Sequence, residues 1–324
     1  MATINDVAER AGVSVTTVSR VLNNRGYISE KTRQLVYRTM EELNYQPNEI
    51  ARSLLRKQSN IIGLIVPNVS HPFFGAFADA VEYYAYKSGS KLLLCNSQLD
   101  PVKERGYIEM MKRHRVDGII MGSHTLEVEE YLNLNYPIVT LDRKIGDFPF
   151  VASDNERGGE LAAQLLIDKG CRKLAHICGN LSLDLLANRR TAGFERVARN
   201  NRAEFITLQT TMNVFDEAEY ERIISKLVTE YPDIDGVFAT SDIIAAFVVK
   251  WYQKLGRDVP GQIRIVGYDD VNAATWFSPE ITTVKQPIEE MGRKAVELIR
   301  MQMDGEGIVK ENILPVELVE RETT

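Results

Sequence analysis

The stretch TINDVAERAGVSVTTVSRVLNNR, residues 3–25, decides what the rest of the chain has to be. Thr3 and Asp6 stand three apart, the spacing at which a hydroxyl and a carboxylate satisfy the orphan N–H groups of a helix start. Ile4, Val7, Ala8 and Ala11 then recur at helical spacing as one apolar stripe. Gly12 ends that helix where a positive φ costs little, and Ser14 caps the next one. The second helix turns Val18, Val21 and Leu22 inward and leaves Val15, Thr16, Ser19, Arg20 and Asn23 outward. Small and basic side chains on an exposed second helix make a device for reading the DNA major groove. A third helix, from near Ser29 to about Asn44, closes a small core with Val36, Met40 and Leu43. A bundle that docks on protein is the competing reading, but it needs an exposed apolar patch that this helix lacks.

Charge agrees with that assignment. Residues 1–58 hold nine Lys and Arg against six Asp and Glu, a balance of +3, whereas the whole chain is −6 and the remainder therefore −9. The cationic end should face phosphates and the acidic body should stay away from them. Pro47 ends the bundle, and NEIARSLLRK (48–57) follows. Beyond alanine only Ile50, Leu54 and Leu55 are apolar there, and so short a helix does not hold in water without a partner. A plain linker and a segment that orders only when two copies meet on DNA both remain open.

At 324 residues, with 44% hydrophobic and 26% charged residues, the chain needs more than one domain and can bury a sizeable core. No run approaches a membrane span and no signal segment opens the chain, so a cytoplasmic protein without membrane contact is expected. Cys95, Cys171 and Cys178 are widely spaced in apolar surroundings and read as buried small hydrophobes. The four histidines form no ligand spacing, so neither a metal nor a cofactor is expected.

From Asn60 apolar strands alternate with amphipathic helices. The strand candidates are IIGLIV (61–66), KLLLCN (91–96), DGIIMG (117–122) and PIVTLD (137–142), then KLAHIC (173–178), FITLQT (205–210), DGVFAT (235–240) and IRIVGY (263–268). Helical stretches at 73–87, 102–114, 156–169, 188–200, 215–230 and 242–255 lie between them. Such alternation implies parallel sheets covered on both faces, here in two doubly wound halves. Ligands bind at the carboxyl ends of such strands. The loops leaving them carry Asn68 to Phe74, Asp142-Arg143, Ser241-Asp242 and Tyr268-Asp269-Asp270, a mixture of carboxylates, arginine and aromatic faces that suits a polyhydroxylated ligand. An enzyme is the competing class. No phosphate-loop, dinucleotide or nucleophile-elbow motif occurs and no His pairs with a nucleophile, so no catalytic residue is assigned.

TINDVAERAGVSVTTVSRVLN, ARSLLRKQSNIIGLIVPN and IRIVGYDD with SPEITTVKQP together resemble the lactose-repressor family of bacterial transcription regulators, over nearly the whole chain. LNNRGYISEKTR and DPVKERGYIEMM are most similar to regulators of sucrose utilisation. The resemblance implies a helix-turn-helix headpiece over 1–47, a hinge helix over 48–58, and a periplasmic-binding-protein-like α/β core over 59–324. The core's two doubly wound subdomains would span roughly 60–157 and 158–286. The chain would cross between them three times, so that the tail after about Glu289, with a strand ILPVEL (313–318), returns to one half or the other.

By the same resemblance Val15, Thr16 and Arg20 face bases and Leu54 wedges into the minor groove. Thr3, Ser19 and Asn23 complete the DNA face. The effector set it implies is Phe73, Asp142, Arg190, Asp242, Asp269, Trp276 and Gln286, with Phe277 beside Trp276 as a second stacking candidate and Asp242 favoured over Ser241. The partners implied are double-stranded operator DNA, a sugar or sugar-phosphate effector, and a second copy of the chain. The chain stops directly after its last strand, without a leucine-heptad tail, which favours a homodimer. The function implied is repression of a carbohydrate-utilisation operon, relieved by a sucrose- or fructose-type sugar. A global regulator strengthened by a co-repressor or phosphocarrier protein, and a sugar-binding protein with no DNA role, are the alternatives.

Overall fold

The computed structural model describes residues 2–46, 58–123, 125–134, 136–210 and 216–324. The chain divides into two compact units, Met1–Ser59 and Asn60–Thr324. In the first, helices α1 (Ile4–Arg10), α2 (Val15–Asn23) and α3 (Glu30–Glu42) begin where hydroxyl side chains cap them. Thr3 and Asp6 form a reciprocal capping box. The hydroxyls of Ser14 and Ser29 accept the N–H groups of Thr17 and Thr32 at 3.1 and 3.3 Å. Val7, Ala8, Val18, Val21 and Val36 form the buried centre, with Leu22, Met40 and Leu43 packed around it. The expected hinge helix and its Leu54 lie outside the described residues, since 47–57 are not among them.

The second unit holds two six-stranded sheets. In the first, β11 (Glu311–Leu314), β5 (Phe150–Ser153), β4 (Ile138–Leu141), β3 (Gly118–Met121), β1 (Ile61–Val66) and β2 (Lys91–Asn96) lie side by side, all parallel. In the second the order is β12 (Glu317–Val319), β10 (Thr282–Lys285), β9 (Arg264–Asp269), β8 (Gly236–Ala239), β6 (Lys173–Cys178) and β7 (Glu204–Gln209), with only β12 antiparallel. Alternate residues of a strand enter different cores, as the period of two requires. Ile62, Leu64 and Val66 pack with Phe77 and Ile299 on one face, and Ile65 packs with Ile119 and Met121 on the other. The three cysteines are buried free thiols.

Two short strands, β5 and β10, and a split strand separate this topology from the eight strands expected. The run ILPVEL does not form one strand over 313–318. Pro315 has no N–H to give a ladder, and the segments on either side of it join different sheets: β11 pairs with β5 and β12 with β10. The tail therefore serves both halves. The chain passes between sheets at Asp154, at Gln286-Pro287 and at Pro315-Val316.

Helices α4 (Pro72–Lys87), α5 (Pro101–Arg113) and α6 (Val128–Leu132) belong to the first half, and α7 (Asn155–Asp168), α8 (Arg189–Asn200), α9 (Glu217–Glu230), α10 (Asp242–Lys254) and α11 (Ala273–Trp276) to the second. Helix α12 (Ile288–Asp304) packs back on the first sheet through Met291, Val296 and Ile299. The closest helix contact joins α7 to α8. A Cβ on Gly159 would stand 1.9 Å from the Arg190 carbonyl oxygen, and one on Gly193 would stand 2.0 Å from that of Glu156. Both obstacles are backbone and cannot swing aside. Gly159→Ala should therefore cost about 3 kcal/mol through forced overpacking. Gly106→Ala, on the exposed side of α5 where a Cβ meets nothing within 4 Å, should stabilise by about 0.5–1 kcal/mol. Urea unfolding of the two variants checks both signs, and a neutral Gly159→Ala would contradict the packing described.

Candidate functional site

The carboxyl ends of both sheets border a cleft of about 520 Å³, inside the range of small-molecule sites. Five of the seven effector candidates line it: Phe73, Asp142, Arg190, Asp269 and Gln286. They come from the start of α4, the end of β4, the first turn of α8, the end of β9 and the second crossover. Positive φ angles at Asp142 (52°) and Asp269 (112°) mark strained strand ends that aim these side chains.

Arg190 is buried and has no carboxylate ion-pair partner among the described residues. Its Nε–H donates to Asn155 Oδ1 at 2.7 Å, its Nη1–H to the Thr240 carbonyl at 3.0 Å, and its guanidinium lies 3.7 Å from the centre of the Tyr268 ring. Asn155 is the hub of the site. Its Nδ2 donates to Asp142 Oδ1 at 3.0 Å and to the Ser153 carbonyl at 3.1 Å. Burial pushes the Asp142 carboxyl above its usual value, against the Arg190 charge and the Asn155 donor. Asp269 is raised much further, by burial first and then by the neighbouring Asp242, against the Arg190 charge and the Gln286 donor at 2.7 Å. The Oε1 of buried Gln286 has no donor among the described residues, an unsatisfied acceptor in the wall of the cleft.

Two expected contacts lie elsewhere. Asp242 is fully buried, accepts the Val271 N–H at 2.9 Å and the Thr283 hydroxyl at 2.5 Å, and does not line the cleft. Its neighbour Ser241 does line it, so the order of preference within that pair is corrected. The cap geometry explains why: Ser241 is the N-cap of α10, and Asp242 is its first helical residue, turned back under β9 and β10. Trp276, 72% exposed at the end of the four-residue α11, and half-exposed Phe277 do not border the cleft either. Asn155 is not among the sequence candidates, since it reads as an ordinary start of a helix; Tyr268, named with the strand-end loops, instead lies inside β9 under the Arg190 guanidinium. Tyr27, at 98% exposure, also stands clear of the first unit without having been singled out.

On that unit, Val15, Thr16 and Arg20 are exposed along α2, while Ser19 and Asn23 are half-buried. Asn23 Nδ2 donates to the Ser19 carbonyl at 2.8 Å. Thr3 is exposed, but its hydroxyl donates to Asp6 at 2.9 Å within the cap. Among the described residues no group of His, Cys, Asp and Glu could hold a metal ion, and no helix is long and apolar enough to cross a membrane.

A helix-turn-helix with its second helix exposed, followed by a two-sheet unit with a ligand-sized cleft, defines a ligand-responsive DNA-binding regulator. Residues 3–48 match the bacterial regulatory proteins of the lacI family, and residues 163–324 match the periplasmic binding protein-like domain. The chain is 39% identical, across its full length and 97% of the relative, to the ribose operon repressor of Halalkalibacterium halodurans. It is 37% identical, over 100% and 99% of the two chains, to the sucrose operon repressor of Streptococcus mutans. The Lac repressor dimer bound to operator and an anti-inducer superposes with a TM-score of 0.88 at 26% identity, covering 99% of this chain and 98% of that one. The chain belongs to the lacI family of bacterial regulatory proteins, a family of DNA-binding transcriptional repressors.

The buried titratable groups make stability depend on pH. Burial pushes Asp242 up to about 7 and holds His71 and His176 down to about 4. A carboxyl raised in the native state takes its proton before the unfolded chain does, so it favours folding as pH falls from about 7 towards 4. A depressed histidine acts in reverse. Its contribution is present above its unfolded value of about 6.5 and fades as pH falls to about 4. Asp242→Asn removes the first effect and leaves the second. Its melting temperature should drop progressively further below that of the wild type from pH 7.5 to 5. Thermal melts at three pH values check this, and parallel curves would remove Asp242 as a titrating group.

Proposed function

We propose that the chain is a homodimeric repressor of a sugar-utilisation operon, acting in the cytoplasm as a regulator and not as an enzyme, and released from its operator when a sugar occupies the cleft. The observation that carries this is the convergence of Phe73, Asp142, Arg190, Asp269 and Gln286, from five separate segments, on one cleft. Arg190 offers donors there, Gln286 an acceptor and Phe73 an apolar face. That mixture matches a molecule whose every hydroxyl both donates and accepts. Relatives that repress ribose and sucrose operons support a sugar and leave two candidates, a pentose and a disaccharide. On the DNA side, Val15 and Thr16 suit a thymine methyl, Arg20 suits guanine, and Ser19, Asn23 and Thr3 add polar contacts. Trp276 and Phe277, exposed on the second half, are apolar surface that a partner copy would cover.

Sugar binding can weaken operator binding only by its preference for one of two core states, typically about 1–3 kcal/mol. D-ribose or sucrose should raise the melting temperature of the protein. The same sugar should lower affinity for an operator selected from random DNA by roughly 5- to 150-fold. A sugar that binds without moving the mobility-shift titration would end the induction claim. Arg190→Ala should lose the sugar response and keep operator affinity, whereas loss of both would make Arg190 structural. Arg20→Ala should lower discrimination between operator and random duplex by about 1–3 kcal/mol. Unchanged discrimination would take that side chain out of the reader.

A further inference from the structure

The first half of the core contains a buried acid that the cleft chemistry above does not use. Glu104, in the first turn of α5, is fully buried. No ion pair reaches it from the described residues. Its Oε2 accepts the Ser123 hydroxyl at 2.6 Å, the Thr125 hydroxyl at 2.8 Å and the Thr125 N–H at 3.2 Å, and its Oε1 accepts the Tyr131 hydroxyl. Tyr131 in turn accepts the Leu126 N–H at 3.1 Å, and Ser123 shares a hydrogen bond of 2.7 Å with Ser97. Four donors thus stand in for the missing cation, as a buried acid requires.

Ser123 and Thr125 both line the cleft. A hydroxyl has one proton and two acceptor lone pairs. With its proton committed to a carboxylate behind the wall, half-buried Thr125 presents only lone pairs towards the cleft, while fully buried Ser123 holds the same carboxylate from within. We propose that Glu104 is a positioning residue for the ligand site: it fixes the hydroxyl of Thr125 as an acceptor and so makes this wall select a ligand hydroxyl that donates. Arg190 on the second half presents donors. A sugar can therefore give a proton to the Thr125 side and accept one at the Arg190 side, whereas a ring ether or an ionised phosphate oxygen has nothing to give Thr125. This inference rests on the sugar reading above and deepens it.

The test uses the full-length protein and isothermal titration with D-ribose and with sucrose. Glu104→Gln removes the charge that anchors the Thr125 hydroxyl proton, which lets that proton turn towards the cleft. It should weaken the sugar that binds wild type about tenfold. Thr125→Val should weaken it similarly, and the double variant no more than either alone, because both act through one hydrogen bond. Thr125→Ser, which keeps the hydroxyl, should bind like wild type. Additive losses, or equal affinities for Thr125→Ser and Thr125→Val, would overturn the assignment, and the serine and valine pair carries the test even if Glu104→Gln does not fold. Should neither sugar bind a wild-type protein that still binds DNA, the sugar reading falls and this inference with it. Should a sugar bind with affinities that none of the variants change, only the role of Glu104 falls.

Discussion

The contact on which the core depends is the seat of Arg190. A guanidinium is expensive to bury without compensation. Here the compensation comes from neutral groups: an amide oxygen, a backbone carbonyl and the face of Tyr268. The nearby carboxylates are held one step away, Asp142 through Asn155 and Asp269 through Gln286. The guanidinium has five N–H donors, of which two have partners among the described residues. The site is thus poised, with a cation whose remaining donors have no partner among the described residues and with acids whose pKa burial raises. A polyhydroxylated molecule can satisfy both without bringing a charge of its own.

That seat also ties the ligand site to the chain's crossings between sheets. Asn155 is the first helical residue after the crossing at Asp154, and Gln286 sits on the second crossing. Any group that pulls on Arg190 or Gln286 acts on the connections about which the two halves can rotate. Crossings are where domain closure concentrates its changes in φ and ψ, because the sheets themselves are too well packed to deform. The tight approach of α7 and α8 through Gly159 and Gly193 makes the transmission stiff, since Arg190 cannot shift without moving the helix that carries Asn155.

Much of this was legible in sequence, and the omissions have physical reasons. Strands β1, β2 and β6 stand where the apolar runs placed them, because each is long enough to outweigh any helical reading. Strands β5 and β10 are four residues each, buried but for Lys285, and too short to show a period. The split at Pro315 was available to a stricter reading, since a proline within an apolar run argues against one continuous strand. The cleft was legible through side chains with obvious chemistry, such as Arg190 and Asp269. It was not legible through Asn155, whose role exists only once α7 and β9 lie together. Between Ser241 and Asp242 the sequence offers two polar neighbours. Only the direction of the helix cap decides which one faces the ligand. Trp276 shows the limit of composition as a guide, for an aromatic beside a binding motif is still free to face solvent.

The first unit explains why modest coupling can regulate such a molecule. Its core consists of Val7, Ala8, Val18, Val21 and Val36 with a partly buried rim. So small a unit keeps a large share of its apolar surface in water, and its stability is correspondingly marginal. Its exposed reading face has few groups that commit to bases, and the remaining affinity is the salt-dependent attraction of a unit with a small positive balance for phosphate. A reader built this weakly gains its operator affinity from presenting two copies at a set spacing, an effect of geometry and effective concentration rather than of contact strength. A few kilocalories per mole of ligand preference in the core are then comparable with the whole advantage of paired over single engagement. The small core of the helix-turn-helix is therefore a condition for control by a ligand, since a reader that held DNA tightly by itself would leave the cleft nothing to decide.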